Sequence, residues 1–534
     1  MLARAPGQRL RHSSGGRCHQ LTDAFVPAIN RRQLLLGSLS LPLLALPSAG
    51  RSQVRPPQPH ASFESLLRPT VHSGGERWEL AQRMSHHHVP GLALAVLRGG
   101  TIVSLKGYGS RLAGRDIPVG PDTLFSVGSV SKVATAALCL RLVALGKLDL
   151  DQDVSLWLRR WRLPEEPEGD TRGISLRMLL SHTAGFNVHG FEDVEPSAPL
   201  PSLLQTLNGT PPALNKPLQR IDRAGSRSRY SGGGYMVVQA VIEDATGQAF
   251  DASARQYLFA PLRMSRSRFD AAPSVSTTDI AHAHDESGKP VALPRGWQSF
   301  PELAPSGLWT SAHDLALLVE ALSSSYRKPG GFLPQALAMD MMTAVSPGTF
   351  GLGPRLAGEG RGRIFHHAGA NDSYKAYVEG NLDSGDGLVI VTNGANGDVL
   401  GDEIRNAVSD SQSWPGDWSV RVSTVTATSL LEGFVGTYKR RAGQSVELSG
   451  ILDTLFDKQD LAVMRTSDGL EVQTKGAPRQ LRPLSSNRFV VPEAYVPAGT
   501  LQIEFNRGAT REVRSLTIVA GGGVLIFDKQ PKQG

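Results

Sequence analysis

The stretch that most constrains this chain runs from Leu124 to Leu140, reading Leu-Phe-Ser-Val-Gly-Ser-Val-Ser-Lys and then Val-Ala-Thr-Ala-Ala-Leu-Cys-Leu. A strand or loop turns abruptly into a helix here. Val133, Ala136, Ala137, Leu140, Val143 and Ala144 fall at helical spacing, an amphipathic pattern, and Gly146 is placed to stop it. Ser129 and Lys132 then stand three residues apart in the first turn, on one face, with Cβ atoms about 5–6 Å apart. An amine so placed can take a proton from a hydroxyl, and the helix N-terminus favours negative charge developing beside it. Ser-x-x-Lys also arises by chance in long chains, so its meaning depends on what the rest of the chain brings to it.

At 534 residues the chain exceeds one ordinary core, and two folded units are expected. With 40% hydrophobic and 20% charged residues it reads as globular, neither disordered nor fibrous. The net charge of +7 is carried mainly by residues 1–50, where Arg4, Arg9, Arg11, Arg17, Arg31 and Arg32 oppose only Asp23; that is +5, leaving +2 for the remainder. A basic tail on a near-neutral body gives no reason to expect a nucleic-acid partner.

Within that tail, Arg31-Arg32 directly precedes an apolar run ending near Leu46, and Pro47-Ser48-Ala49-Gly50 supplies small residues for cleavage. The run is broken by Gly37 and Pro42 and falls short of the roughly 20 residues that span a bilayer. Residues 1–50 are therefore expected to be a twin-arginine-type export signal, with a periplasmic or secreted product and no stable membrane anchor. Cys18 would leave with the signal, so Cys139 remains as a single cysteine on the apolar side of a helix, a core position.

Residues 51–75 read as a flexible lead-in, followed by a helix around Glu76–Met84. His86, His87 and His88 invite a metal reading, but chain neighbours point in different directions, and no metal site is expected there. Gly91–Leu97 and Thr101–Leu105 flank Gly99-Gly100 as a hairpin. Asp149, Asp151 and Asp153 alternate like the start of a calcium loop, yet Val154 occupies the position that needs glycine, so a solvated turn is expected. Leu176–Leu180 reads as a short helix capped by Ser175, leading to Ser181-His182-Thr183-Ala184-Gly185, where His182 is expected to fix the backbone of a turn.

Arg229-Tyr230-Ser231 precedes Gly232-Gly233-Gly234 and a helix from Tyr235 to Ile242 that Gly247 can end; three glycines in series imply close backbone approach. His282, His284 and Asp285 read as a strand edge or loop in preference to a metal corner. Trp309 leads into a helix over Leu315–Leu322, and strands follow at Ile364–Gly369, Ser373–Val378 and Gly387–Asn393. Strands at both ends of 85–400 with helices between predict an antiparallel sheet closed from the two termini, an α+β arrangement. A linker at 411–429 then separates a catalytic domain, 76–410, from residues 430–534. There, short strands at 434–438, 445–450, 460–465, 469–473, 487–491, 501–505, 513–519 and 523–528 predict a small all-β barrel or sandwich.

The ordered set Phe125–Lys132, Leu179–Gly185, Tyr230-Ser231-Gly232, Gly307–Thr310 before a helix, and His367-Ala368-Gly369 strongly resembles the serine β-lactamase-related family over roughly 75–400. That family takes in class C β-lactamases, D-alanyl-D-alanine carboxypeptidases, D-amino-acid amidases and carboxylesterases. The C-terminal region resembles the lipocalin-like barrel that such proteins append. The α/β-hydrolase elbow G-x-S-x-G is absent from the sequence. The resemblance implies a β-lactamase/transpeptidase-like fold and a small-molecule or peptide substrate, needs no cofactor, and fixes no oligomeric state.

It also implies roles for named residues. Ser129 would be the nucleophile, with Lys132 or Tyr230 as the base that activates it. The backbone N–H groups of Ser129 and Ala370 would receive the oxyanion, and Gly369 would keep its strand close to the substrate. His367 stands where the family's Lys-Thr-Gly form has lysine; it would orient the tyrosine or bind a substrate carboxylate, fully charged only below an unperturbed pKa of about 6.5. Gly232 replaces the asparagine of the family's Tyr-x-Asn motif. That removes a partner for a substrate amide and favours esters or small amides over β-lactams.

Overall fold

The computed structural model describes residues 62–531 apart from 168, 171–172, 417, 424–427, 442–454, 457–459, 493–499, 511 and 521–522. The expected export signal and the expected strand at 445–450 lie outside the described residues.

Gly91–Arg98 is buried at every position but the last, because the strand it forms is covered on both faces. Strands of that kind carry continuous apolar runs, not alternation. The sheet runs Thr101–Gly109, Gly91–Arg98, Gly387–Thr392, Lys375–Asn381, Ile364–Ala370, Arg355–Ala357, antiparallel throughout. Its middle pairs join the two chain ends, with Val389 opposite Ala95 and Val378, as the layout of strands predicted. One face contributes Ala93, Ala95, Val378 and Val389 to the large core shared with the helical region. The other contributes Leu94, Val96 and Ile390 to a smaller core capped by the Gly397–Gln412 helix.

The outer core also corrects the reading of residues 51–75. Phe63 and Leu67 are buried in it, Arg68 forms a two-pronged ion pair with Asp410 at 2.7 and 2.8 Å, and Val71–His72 pairs in parallel with Val420–Arg421. The described part of the lead-in is thus structured, and so is part of the expected linker. Leaving that face of the sheet bare would expose Leu94 and Ile390 to water, and the preceding segment covers them.

Ser131–Ala144 corrects a second expectation. It is buried at every position from Ser131 to Leu140, so its pattern is that of a helix through the core and not of an amphipathic surface helix. Ala134, Ala136 and Ala137 let neighbouring elements approach closely. Cys139 packs there as expected, with burial pushing its thiol up to about 12. The chain enters this helix from Phe125–Ser126, an edge strand of a three-stranded sheet centred on Leu308–Thr310.

After the catalytic domain, eight antiparallel strands from Gly436–Arg440 to Gly523–Lys529 close into a barrel, with Tyr438 opposite Lys529 at the seam. Its interior is filled by side chains including Phe434, Phe489 and Phe505, the first and last stacked at 4.3 Å. The strand Arg479–Pro483 was not anticipated: only Leu481 is buried, and two arginines and a glutamine mask the alternation.

Candidate active site

Gly128 adopts φ +46° and opens a single 3-10 turn, Gly128–Val130, that lifts Ser129 out of the core before the buried helix begins. Lys132, 2% exposed, returns along the helix so that its Nζ lies 3.0 Å from Ser129 Oγ and 3.0 Å from the carbonyl oxygen of Pro305. No carboxylate pairs with Lys132 among the described residues. A hydroxyl and an amine side chain meet in a largely desolvated place, which is how a weak nucleophile and its activating group are arranged.

Tyr230 completes the group, its ring centroid 4.9 Å from Lys132 Nζ. Its position is set by His182, which has φ +61° and grips the backbone on both sides of Tyr230. The carbonyl of His182 accepts the Arg229 N–H at 2.8 Å, and its Nδ1 accepts the Ser231 N–H at 3.1 Å. The imidazole lies against the Tyr230 ring at 4.3 Å. Burial, with Lys132 and His367 nearby, holds His182 neutral well below the ordinary histidine range. His182 therefore fixes a turn beside the site, as expected.

The helix after Tyr230 begins at Gly232, earlier than the expected Tyr235, with Ser231 capping it through the Gly234 N–H. A Cβ on Gly232 would stand 2.9 Å from Phe191 Cε2, and one on Gly233 would stand 2.4 Å from Leu218 Cδ1. So the place of the missing asparagine is not an empty socket; an aromatic ring closes over it.

On the opposite wall, Gly369 brings the Ile364–Ala370 strand against the nucleophile turn. A Cβ there would lie 1.9 Å from the Val127 carbonyl oxygen, and one on Gly128 would lie 2.8 Å from Ala370 N. Asn371 Nδ2 ties the end of this strand to Ser126 Oγ at 2.9 Å. Ser129, Lys132, Tyr230, His367, Gly369 and Ala370 all line one cavity of about 400 Å³.

His367 departs from expectation. Its Nδ1 meets the Ala368 carbonyl oxygen at 2.6 Å; a carbonyl only accepts, so Nδ1 carries the proton and Nε2, buried and without a partner, presents a lone pair. Burial first, then the charges of Lys132 and Arg355, push its pKa down to about 3. It is neutral at ordinary pH and is no cationic anchor for a carboxylate. The cation on this wall is Arg355, on the edge strand, its guanidinium 4.3 Å from the Phe350 ring centroid and 5.9 Å from that of Tyr230. Sequence reading missed Arg355 because a lone arginine after Gly353-Pro354 carries no pattern.

Two carboxyls were missed for the same reason. Glu302 is 5% exposed and precedes the short helix whose Pro305 carbonyl holds Lys132. Asp193 lies across the same cavity, accepting the Asp372 N–H at 3.1 Å. Burial pushes both up to about 7, and each carboxyl has a further acidic neighbour, Asp193 for Glu302 and Asp372 for Asp193.

Two of the other histidines, His87 and His284, behave as structural groups. His87 bonds Glu403 at 3.0 Å, and His284 accepts the Ala113 N–H at 3.0 Å while its Nδ1 bonds the Asn393 carbonyl oxygen. Asp149 and Asp153 accept backbone N–H groups in turns, and Asp151 pairs with Arg177. Among the described residues no group of three acidic, histidine or cysteine side chains is placed to hold a metal ion.

Comparison with known proteins agrees with this geometry. The family model described as Beta-lactamase matches residues 79–410. The chain is 31% identical over 311 residues to Esterase EstB of Burkholderia gladioli, covering 53% of this chain and 76% of that protein. Its fold is similar to that of the octameric penicillin-binding protein homologue from Pyrococcus abyssi, with a TM-score of 0.53, 19% identity, and coverage of 84% of this chain and 98% of that one. It is similar also to EstCE1, a hydrolase with promiscuous acyltransferase activity, with a TM-score of 0.51, 22% identity, and coverage of 62% and 96%. With the family model spanning more than half of the chain, the protein belongs to the beta-lactamase family of serine hydrolases, with a closed eight-stranded barrel after its catalytic domain.

Proposed function

We propose that this protein is an exported serine hydrolase that works through an acyl-enzyme and prefers esters to β-lactams. The observation that carries the reading is the 3.0 Å approach of the buried Lys132 Nζ to Ser129 Oγ. Ser129 attacks the substrate carbonyl, and Lys132 or Tyr230 accepts its proton. The carbonyl oxygen of Pro305 also holds Nζ at 3.0 Å, which keeps the amine beside Oγ with the Tyr230 ring centroid 4.9 Å away. The tetrahedral intermediate is received by the N–H groups of Ser129 and Ala370, donors of a type worth about 3–4 kcal/mol each. The close approach of Gly128 to Ala370 and of Gly369 to Val127 supports that pairing. The proton returns to the leaving group, and water then repeats the sequence on the acyl-enzyme.

Preference for esters rests on Gly232 and Phe191. No side-chain amide at position 232 meets a β-lactam or peptide amide, and the Phe191 ring stands 2.9 Å from where a Cβ would lie. The identity to a protein named as an esterase supports the same direction. Export rests on Arg31-Arg32 and the apolar run after them; among the described residues no helix is long and apolar enough to cross a membrane.

Ser129→Ala is expected to abolish both ester hydrolysis and labelling by a fluorophosphonate; an active, labelled variant would overturn the assignment. Nitrocefin turnover is expected to be about a hundredfold or more slower than that of p-nitrophenyl butyrate, and comparable rates would refute the argument from Gly232. Intact mass after penicillin separates the remaining alternative: a persistent adduct without ester turnover describes a penicillin-binding sensor.

A further inference from the structure

Glu302 has no use in the acyl-transfer chemistry above, yet it is buried in the wall of the same cavity. Among the described residues, the carboxyl accepts a hydrogen bond from its own backbone N–H and no cation pairs with it. Asp193 lines the cavity too and spends one oxygen on the Asp372 N–H. Its one cationic neighbour, Lys375, already donates to the Asn371 and Asp372 carbonyl oxygens at 2.5 and 3.2 Å. Leaving a buried carboxyl such as Glu302 without a cation is costly, and a fold that does so beside its nucleophile keeps a place for one. The cavity's other acidic pair, Asp398 and Asp402, differs from Glu302: Arg405 acts on Asp402, and Lys375 acts on Asp398 as it does on Asp193. A second observation comes from a different wall, where the buried His367 Nε2 lone pair is also unpartnered. Like the two carboxyls, it can accept a hydrogen bond from a donor-rich ligand and offers no charge of its own to oppose a cation.

Building on the proposed hydrolase reading, we infer that Glu302 and Asp193 form a subsite for an ammonium group, so that the preferred substrates are esters or small amides carrying a positive charge near the scissile bond.

The charge of this subsite depends on pH. The groups acting on it are Asp193 on Glu302, and Asp372 and Lys375 on Asp193. Both carboxyls are pushed up to about 7, so the attraction is present above neutrality and fades as pH falls through that value.

Two isosteric pairs test the inference. Alanine methyl ester against methyl isobutyrate places the charge in the acyl group, and butyrylcholine against 3,3-dimethylbutyl butyrate places it in the leaving group. The full-length protein is expected to favour the charged member of at least one pair by about tenfold or more in kcat/KM. That ratio should fall to within about threefold in Glu302→Gln or Asp193→Asn, and in the wild type below pH 6 with the permanently charged choline ester. Equal rates within both pairs, or a preference that survives both substitutions, would overturn it. Inactivity of the wild type toward all four esters would instead strike at the hydrolase reading. Should a variant fail to fold, competitive inhibition of the wild type by choline against its neutral isostere 3,3-dimethylbutan-1-ol decides: no difference between the two sinks the subsite.

Discussion

The catalytic domain and the barrel bury their polar groups in opposite ways. In the barrel, Phe434, Tyr438, Phe489 and Phe505 fill the interior, and the Tyr438 hydroxyl donates to the Phe434 carbonyl oxygen at 2.6 Å. In the catalytic domain, Lys132, His182, His367 and Glu302 are all buried at or beside one cavity, and His182 Nε2 and His367 Nε2 have no partner among the described residues. A packed apolar interior stabilises; polar groups sequestered from water cost stability and are retained where chemistry uses them. The comparison teaches that one region is built for shape and the other for reactivity, although both contain antiparallel sheets with buried cores.

That contrast can be broken by substitution. The largest effect is expected from Gly369→Ala, since a methyl group 1.9 Å from the Val127 carbonyl oxygen must push the strand from the nucleophile turn. Ester turnover should fall by about a hundredfold or more. Circular dichroism should stay native; full activity would show that the approach of this strand is irrelevant to the reaction. Next, Phe505→Ala removes a buried, stacked ring from the barrel and should cost about 3–5 kcal/mol in that region's stability by denaturant titration. Ester turnover under native conditions should change less than about twofold; a collapse of activity would mean that the barrel contributes to the reaction.

The smallest expected effect concerns His367. A pKa near 3 means that this imidazole is neutral at and above pH 5, so His367→Asn should leave the shape of the kcat profile between pH 5 and 8 unaltered. An inflection near 6.5 that vanishes in the variant would restore His367 as a titrating group. For stability the sign follows from a lowered folded-state pKa. The unfolded chain takes up a proton near 6.5 that the native chain refuses, so stability declines as pH drops from about 6.5 toward 3, and His182 and His366 act in the same direction.

Several elements were legible because local chemistry specifies them. The Gly99-Gly100 hairpin, the Ser175 cap and the Gly247 stop all appear where the residues place them. Others were not, for reasons of context. Residues 62–75 look like a polar lead-in until a bare sheet face needs Phe63 and Leu67. Arg479–Pro483 hides its strand because most of its side chains face solvent. Arg355, Phe191, Asp193 and Glu302 belong to no motif, and only the folding of distant segments brings them to the same cavity as Ser129.

What the sequence determined by itself was the nucleophile turn, because Ser129 and Lys132 are three residues apart and helical geometry alone brings them together. The order of the other motifs determined the family and the identity of Tyr230 and His367 as neighbours. Tertiary structure alone decided the charge of the site. Whether His367 is cationic, whether Gly232 leaves a hole or a wall, and whether Glu302 meets a cation depend on burial and on side chains from remote segments. Solvation and Coulomb interactions act through space, and spacing along a chain does not encode them.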